Sequence, residues 1–170
     1  MADADLIIEN GTIITEGGSF NAALIVADGQ IVAYAEDASG WAAPERIDAS
    51  GLLVLPGGID VHTHLELNVG ATESSDDFYT GHKAAAFGGT TTHIDFAIPE
   101  KGKSLRSGIE AWHRKAEGRA VIDYGYHANL VEVTDAIVDE IPSIVNEGVT
   151  SIKALMAYKG RLQIDDTGLF

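Results

Sequence analysis

From residue 59 onward, β-prone runs alternate with helix-like runs at an interval of about 30 residues, and this rhythm restricts the chain to few folds. Strands are expected near 59–64, 90–97, 121–130 and 150–156. Ser74-Ser75-Asp76-Asp77 supplies a cap and acidic residues ahead of a helix over Phe78–Phe87, which Gly88-Gly89 ends. The run from Ser104 to Gly118 is the clearest helix, because Leu105, Ile109, Trp112 and Ala116 fall on one stripe. A third helix is expected over Thr134–Glu147, with Pro142 kinking it or starting a new turn. No internal sequence repeat accompanies the rhythm. An eightfold barrel takes ~250 residues. The expectation is therefore an α/β fold whose residues 55–170 form the first four βα units of a (β/α)8 TIM-like barrel, truncated after the fourth.

The preceding residues have a different grain. Short β-prone runs at 5–9, 12–15, 22–27 and 30–35 are punctuated by Asn10-Gly11, Glu16-Gly17-Gly18 and Asp28-Gly29. Asn-Gly and Asp-Gly between such runs predict tight hairpins, whose central residues need φ > 0. Four small strands bury little by themselves. Residues 1–54 are accordingly assigned to the N-terminal part of a small β-sandwich domain.

Composition narrows the chemistry. The 170 residues contain no cysteine, so disulfides and thiolate metal sites are excluded and any metal must be held by histidine, carboxylate or a modified side chain. A formal charge of −15 argues against nucleic acid and anionic membrane as partners. The carboxylates are spread along the chain, as on a solvated acidic surface; adaptation to high salt is the alternative source of such a charge. The N-terminus has no basic n-region and no apolar h-region, and no apolar run approaches membrane-spanning length, so a cytoplasmic protein is expected.

The chemistry-bearing residues sit where a barrel would place them. Leu52–Leu55 leads into a Pro-Gly-Gly turn and then the β-prone Ile59-Asp60-Val61-His62-Thr63-His64. A strand's period of two puts His62 and His64 on one face, where two imidazoles can chelate one cation. Lys153 stands among Ile152, Leu155 and Met156 in the fourth barrel strand. A lysine there either snorkels to solvent or is held in apolar surroundings that are costly for an ammonium. Beside metal ions a neutral amine can react with carbon dioxide to give a carbamate, whose two oxygens can bridge two cations.

These motifs resemble the cyclic-amide hydrolases of the amidohydrolase superfamily, the dihydropyrimidinases and hydantoinases. The resemblance is carried by Pro56-Gly57-Gly58-Ile59-Asp60-Val61-His62-Thr63-His64-Leu65-Glu66, then Ser75-Asp76-Asp77-Phe78, Gly88-Gly89-Thr90-Thr91, Ile94-Asp95-Phe96 and Asp123-Tyr124-Gly125-Tyr126-His127. It closes with the run from Gly148 through Lys153 and Tyr158 to Gly160. It implies that His62 and His64 are ligands of the more buried metal, and that Lys153 is the carbamylated lysine bridging two divalent ions, usually zinc. It also implies that Tyr158 is a catalytic and substrate-binding residue, donating to the substrate carbonyl oxygen and stabilising the tetrahedral oxyanion. The implied substrate is a small cyclic amide, the implied assembly a homotetramer, and the enzyme rival an allantoinase. The family's two further histidines and its proton-shuttling aspartate have no counterpart before Phe170, so this chain alone is expected to be inactive. The alternatives are a non-catalytic scaffold of the same fold and one subunit of a split enzyme.

Other residues are read more plainly. His127 either orients the site or is a hydrogen-bonded core histidine; His82 and His113 are surface or packing residues, and His93 packs in its strand. Asp60 either accepts a bond from a ligand imidazole or caps the turn before it, and Glu66 is structural or closes a loop.

Overall fold

The computed structural model describes residues 2–170 and divides the chain into two compact units, Met1–Pro56 and Gly57–Phe170. The first unit is all-β. Its strands are β1 (Ala2–Asp3), β2 (Leu6–Glu9), β3 (Thr12–Thr15), β4 (Gly18–Asn21), β5 (Ala23–Ala27), β6 (Gln30–Ala35), β7 (Trp41–Ala42), β8 (Glu45–Asp48) and β9 (Leu53–Val54). They form three sheets, ordered β6-β5-β2-β8, β4-β3-β9 and β1-β7. Ile7 and Ile25, on paired strands of the largest sheet, are fully buried among alanines 4, 23 and 38.

Turn chemistry succeeds at one expected site and misleads at another. Asp28-Gly29 is the two-residue loop of the β5–β6 hairpin, with Ala27 opposite Gln30 and φ of 50° and 70°. Asn10 also adopts a left-handed φ of 66°, yet Asn10-Gly11 makes no hairpin. Instead β2 and β3 part into different sheets, pairing in parallel with β8 and β9 respectively. Long-range contacts override the local signal: Asn10 Nδ2 donates to Asp48 Oδ1 at 2.9 Å, and a Cβ on Gly11 would stand 2.8 Å from Val54 Cγ2. Gly11 is a close-approach glycine between two chain segments, not a hairpin residue.

The second unit is α/β. It contains β10 (Gly58–Thr63), α1 (Phe78–Phe87), β11 (Thr90–Ala97), α2 (Leu105–Ala116), β12 (Asp123–Leu130), α3 (Asp135–Asn146), β13 (Ile152–Ala154) and α4 (Asp166–Leu169). The four strands lie in the order β10-β11-β12-β13 and every pair is parallel. Consecutive order with a helix in each crossover is the arrangement expected of successive βα units. The core is built where α1, α2 and α3 bring Phe78, Leu105, Ile109, Trp112, Ile137 and Ile144 against Ala97, Tyr126 and Ala128 of the strands. No helix among the described residues is long and apolar enough to cross a membrane.

Helix starts follow from their caps. Asp77 accepts the Thr80 N–H at 2.7 Å while Thr80 Oγ1 accepts the Asp77 N–H at 3.0 Å, a reciprocal capping box ahead of Phe78. Ser104 and Thr134 cap α2 and α3 through the amides of Ser107 and Ile137. The carboxylate of Glu140 takes the first free amides of α2, Leu105 N–H at 2.8 Å and Arg106 N–H at 3.0 Å.

Two expectations need correction. Of the two outcomes expected at Pro142, a new turn is not found, because the helix runs unbroken from Asp135 to Asn146. The bond lost is the one to the Val138 carbonyl, on a residue half exposed to water, while Glu140, Ser143 and Glu147 around the proline bind α2 through its N-terminal amides and Arg106. The last strand is also shorter than the expected 150–156. Val149 N–H still bonds the Ile144 carbonyl of α3, and β12 ends opposite Ala154, leaving no ladder for Leu155 and Met156.

Ile144, completely buried, and Val138, on the same helix and 50% exposed, separate packing from propensity. Ile144→Ala should destabilise the protein by about 2–5 kcal/mol and Val138→Ala by less than about 1 kcal/mol, measured by urea unfolding.

Candidate metal centre

The site is assembled around one aromatic ring. Phe96, on β11, is buried, and four side chains from three other segments meet it. His62 and His64 lie with ring centroids 4.6 and 4.9 Å from that of Phe96, and His127 stacks on it at 4.8 Å with 30° between planes. Lys153 Nζ stands over the same ring, 3.7 Å from its centroid. Parallel pairing explains the convergence: Phe96 is opposite His127, and Asn129, two residues further along β12, is opposite Lys153. Three strands and the residue following β10 thus present their polar groups to one place, toward the strands' carboxyl ends.

His62 and His64 do come together, with ring centroids 5.2 Å apart, but not as flat β geometry predicts. Asp60 is opposite His93 and Thr63 is opposite Asp95, so Val61 and His62 on β10 face the single residue Ile94. This is a β-bulge, a device that re-aims side chains beside functional sites. Asp60 belongs to it: its carboxylate accepts the His62 backbone N–H at 3.0 Å, rather than bonding an imidazole or capping the preceding turn.

Burial pushes the His64 imidazole below its ordinary pKa, a tendency that Asp95 opposes and that Lys153 and His62 reinforce. Its Nδ1 is buried without a hydrogen-bond partner. Two neighbouring imidazoles, one favoured in the neutral form, are suited to a divalent ion. Among the described residues no group of three His, Asp or Glu side chains is spaced to hold a metal, so a third donor has to come from elsewhere. Lys153 is the group in position, and it has no carboxylate partner among the described ion pairs. As an ammonium it cannot ligate; as a carbamate it can. The residues therefore fit a metal on condition that Lys153 is modified.

Tyr158 lies beyond β13 with its side chain 63% exposed, and no side-chain hydrogen bond ties it to the cluster among the described residues. Its backbone is distinctive. Its φ is 63°, uncommon for an aromatic residue, and its carbonyl accepts from the amides of Arg161 and Leu162 at 3.0 and 3.1 Å. The tight turn fixes the direction in which the ring leaves the chain.

Behind the cluster runs a buried polar chain that the sequence did not reveal. His82 of α1 accepts the Val121 N–H at Nδ1 (3.2 Å), so its proton is on Nε2, 2.6 Å from His93 Nδ1. That leaves the His93 proton on Nε2, facing Asp95 Oδ2 at 3.8 Å. Asp95 in turn accepts the Phe96 N–H at 2.6 Å, the Leu65 N–H at 2.9 Å and Trp112 Nε1–H at 3.3 Å. The available signal was two ionisable residues, His93 and Asp95, on one face of a strand that is otherwise threonine and apolar residues. Glu66, by contrast, closes a loop as expected: its Oε1 accepts from Arg119 at 2.5 Å and from the Phe78 N–H at 3.2 Å.

No protein-family model matches the chain. It is 49% identical over 167 residues to a D-hydantoinase of Geobacillus stearothermophilus and 41% identical over 162 residues to a D-phenylhydantoinase of Escherichia coli. Those alignments cover 96% and 95% of this chain and 35% of each relative. Among solved structures, a D-hydantoinase superposes with a TM-score of 0.91 at 49% identity, and the dihydropyrimidinase of Brevibacillus agri with 0.92 at 48%. Each structural match covers 96% of this chain and 35% of the other. The fold and the cluster define an α/β protein with the candidate site side chains gathered at one end of a parallel sheet. More narrowly, the chain is similar to D-hydantoinases and to a dihydropyrimidinase, of which it spans about a third of the length, 35%.

The buried histidine chain makes stability pH-dependent. Burial, and secondarily His93, push His82 from 6.5 down to about 4, against a weaker opposing effect of Asp95. The unfolded chain therefore binds a proton here that the folded one refuses. The contribution is complete above pH 6.5 and is lost as pH falls toward 4, at up to about 1.4 kcal/mol per pH unit. Urea midpoints measured across that range should fall more steeply for the wild type than for His82→Gln; parallel curves would remove His82 as the cause.

Proposed function

We propose that this chain supplies the first half of the active site of a metal-dependent hydrolase that opens a cyclic amide, a dihydropyrimidine or hydantoin, to an N-carbamoyl amino acid. The observation that carries the reading is the meeting of His62, His64 and Lys153 on the Phe96 ring. The names and similarity of the relatives support the reaction class. Because the chain spans 35% of their length, the activity is assigned to these residues acting with the strands that complete the barrel. The non-catalytic scaffold accounts less well for the retention of all three side chains.

In this reading His62, His64 and, as its carbamate, Lys153 would help to hold a pair of divalent ions, zinc in the expected case. Such a pair supplies a hydroxide at neutral pH and polarises the amide carbonyl. The chain's own residues do the rest. The bulge at Val61-His62 directs two imidazoles to one point. Phe96 gives Lys153 an aromatic face rather than a carboxylate. Carbamate formation would then need only loss of the ammonium proton to water and attack of the neutral amine on carbon dioxide, with release of a second proton. Tyr158, aimed by its turn, donates its O–H to the oxygen that becomes the oxyanion. A soluble, cytoplasmic homotetramer is the assembly proposed with this activity.

Two measurements test the reading in the enzyme assembled from this chain and the strands that complete it. Metal analysis with intact-mass spectrometry should find two divalent ions and a carbon-dioxide adduct that Lys153→Ala abolishes; an active, metal-loaded enzyme with unmodified Lys153 would overturn the bridging role. Tyr158→Phe should lower kcat for hydantoin or dihydrouracil by about 100-fold or more with KM less affected. A near-wild-type kcat would move Tyr158 out of the oxyanion role.

A further inference from the structure

The bulge leaves Val61 and His62 outside the regular pairing, the strand ends at Thr63, and side chains from elsewhere take up backbone groups on either side of the histidine pair. On the near side of the pair, His127 Nε2 lies 2.9 Å from the Val61 carbonyl oxygen and Nδ1 lies 2.5 Å from Ser151 Oγ. A carbonyl can only accept, so the His127 proton is on Nε2 and Nδ1 accepts the Ser151 O–H. On the far side, Asp95 Oδ2 accepts the Leu65 N–H at 2.9 Å. The residue before His62 is thus tied to β12 and the residue after His64 to β11.

Both ties are themselves anchored. Asp95 is completely buried and its other oxygen is held by Phe96 N–H and Trp112 Nε1–H, with the His82–His93 pair behind it. His127 is fixed by Ser151 and by stacking on Phe96. The ring that carries the cluster and the backbone that carries the imidazoles are therefore located by the same two side chains.

We infer that His127 and Asp95 are a two-sided clamp on His62-Thr63-His64, positioning residues that set the divalent-ion geometry through backbone atoms. The inference rests on the metal-site reading above. The clamp bonds no ligand imidazole. It fixes the chain on either side of the pair, so that both rings start from the ligating arrangement and binding need not order the segment. Groups that orient metal ligands from behind are typically worth about 10- to 100-fold in affinity.

Three His127 variants, made in the enzyme assembled from this chain and the strands that complete it, provide the test. Gln keeps an N–H near the position of Nε2; Leu removes it, and Asn is too short to reach from β12 to the Val61 carbonyl. Titration with Co²⁺, followed by its visible absorption, should show about 10- to 100-fold weaker binding and an altered spectrum for His127→Leu, with His127→Gln within about threefold of the wild type. Equal affinity and spectrum in all of them overturn the clamp. His62→Ala is the control on the metal reading: undiminished Co²⁺ binding overturns that reading, and hydrogen exchange then decides the clamp. The His62 and Leu65 amides should exchange at least about tenfold faster in His127→Leu than in the wild type and His127→Gln, with the α2 amides unchanged. Unchanged protection at His62 and Leu65 overturns the clamp whatever the metal result. Should His127→Leu lose protection in α2 as well, His127→Asn against His127→Gln makes the same comparison in folded protein.

Discussion

A buried carboxylate with no lysine or arginine against it has to be answered by hydrogen-bond donors, and Asp95 draws three of them from three different segments. Its donors come from its own strand, from the loop after β10 and from α2, while the nearby His93 Nε2 at 3.8 Å is too far to hydrogen-bond. Satisfying this one group joins β10, β11 and α2 into a single arrangement. It also sets the height of Phe96, on which the chemistry-bearing side chains rest. An apolar residue at 95 would pack at lower desolvation cost but would specify neither the Leu65 amide nor the Trp112 indole.

The same economy runs through the helices. Each of α1, α2 and α3 begins at a side-chain cap, and α2 gains a second anion from Glu140 of its neighbour. Local capping and long-range capping agree there, which is why Pro142 does not interrupt α3: the residues around it are already committed to α2. Where local and long-range preferences disagree, at Asn10-Gly11, the long-range contacts prevail and the turn is used to pass from one sheet to another.

Much of the second unit was legible as sequence because its signals are local. Helix limits at Phe78–Phe87, the stripe through Trp112 and the β-branched run at Thr90–Ala97 each follow from spacing within a dozen residues. His62 and His64 were legible as a pair for the same reason, and Lys153 through its unusual strand. The His82–His93–Asp95 chain was not: His82 and Asp95 are separated by a loop and a change of element, and each alone looks like packing. The platform role of Phe96 was equally hidden, since nothing in a phenylalanine announces that three imidazoles and a lysine will meet it.

The sequence by itself determined the βα order, the approximate helix boundaries, the lack of cysteine in this chain and which groups are candidates to bind a cation. Those depend on residue type and on periodicities that the chain carries locally. Tertiary structure alone decided that Val61 and His62 would bulge, that His127 would reach the Val61 carbonyl and that Asp95 would hold the Leu65 amide. Each of these joins residues about 30 to 66 positions apart. Parallel neighbours are set side by side only after the intervening helix has packed, so their register cannot be read from either strand alone.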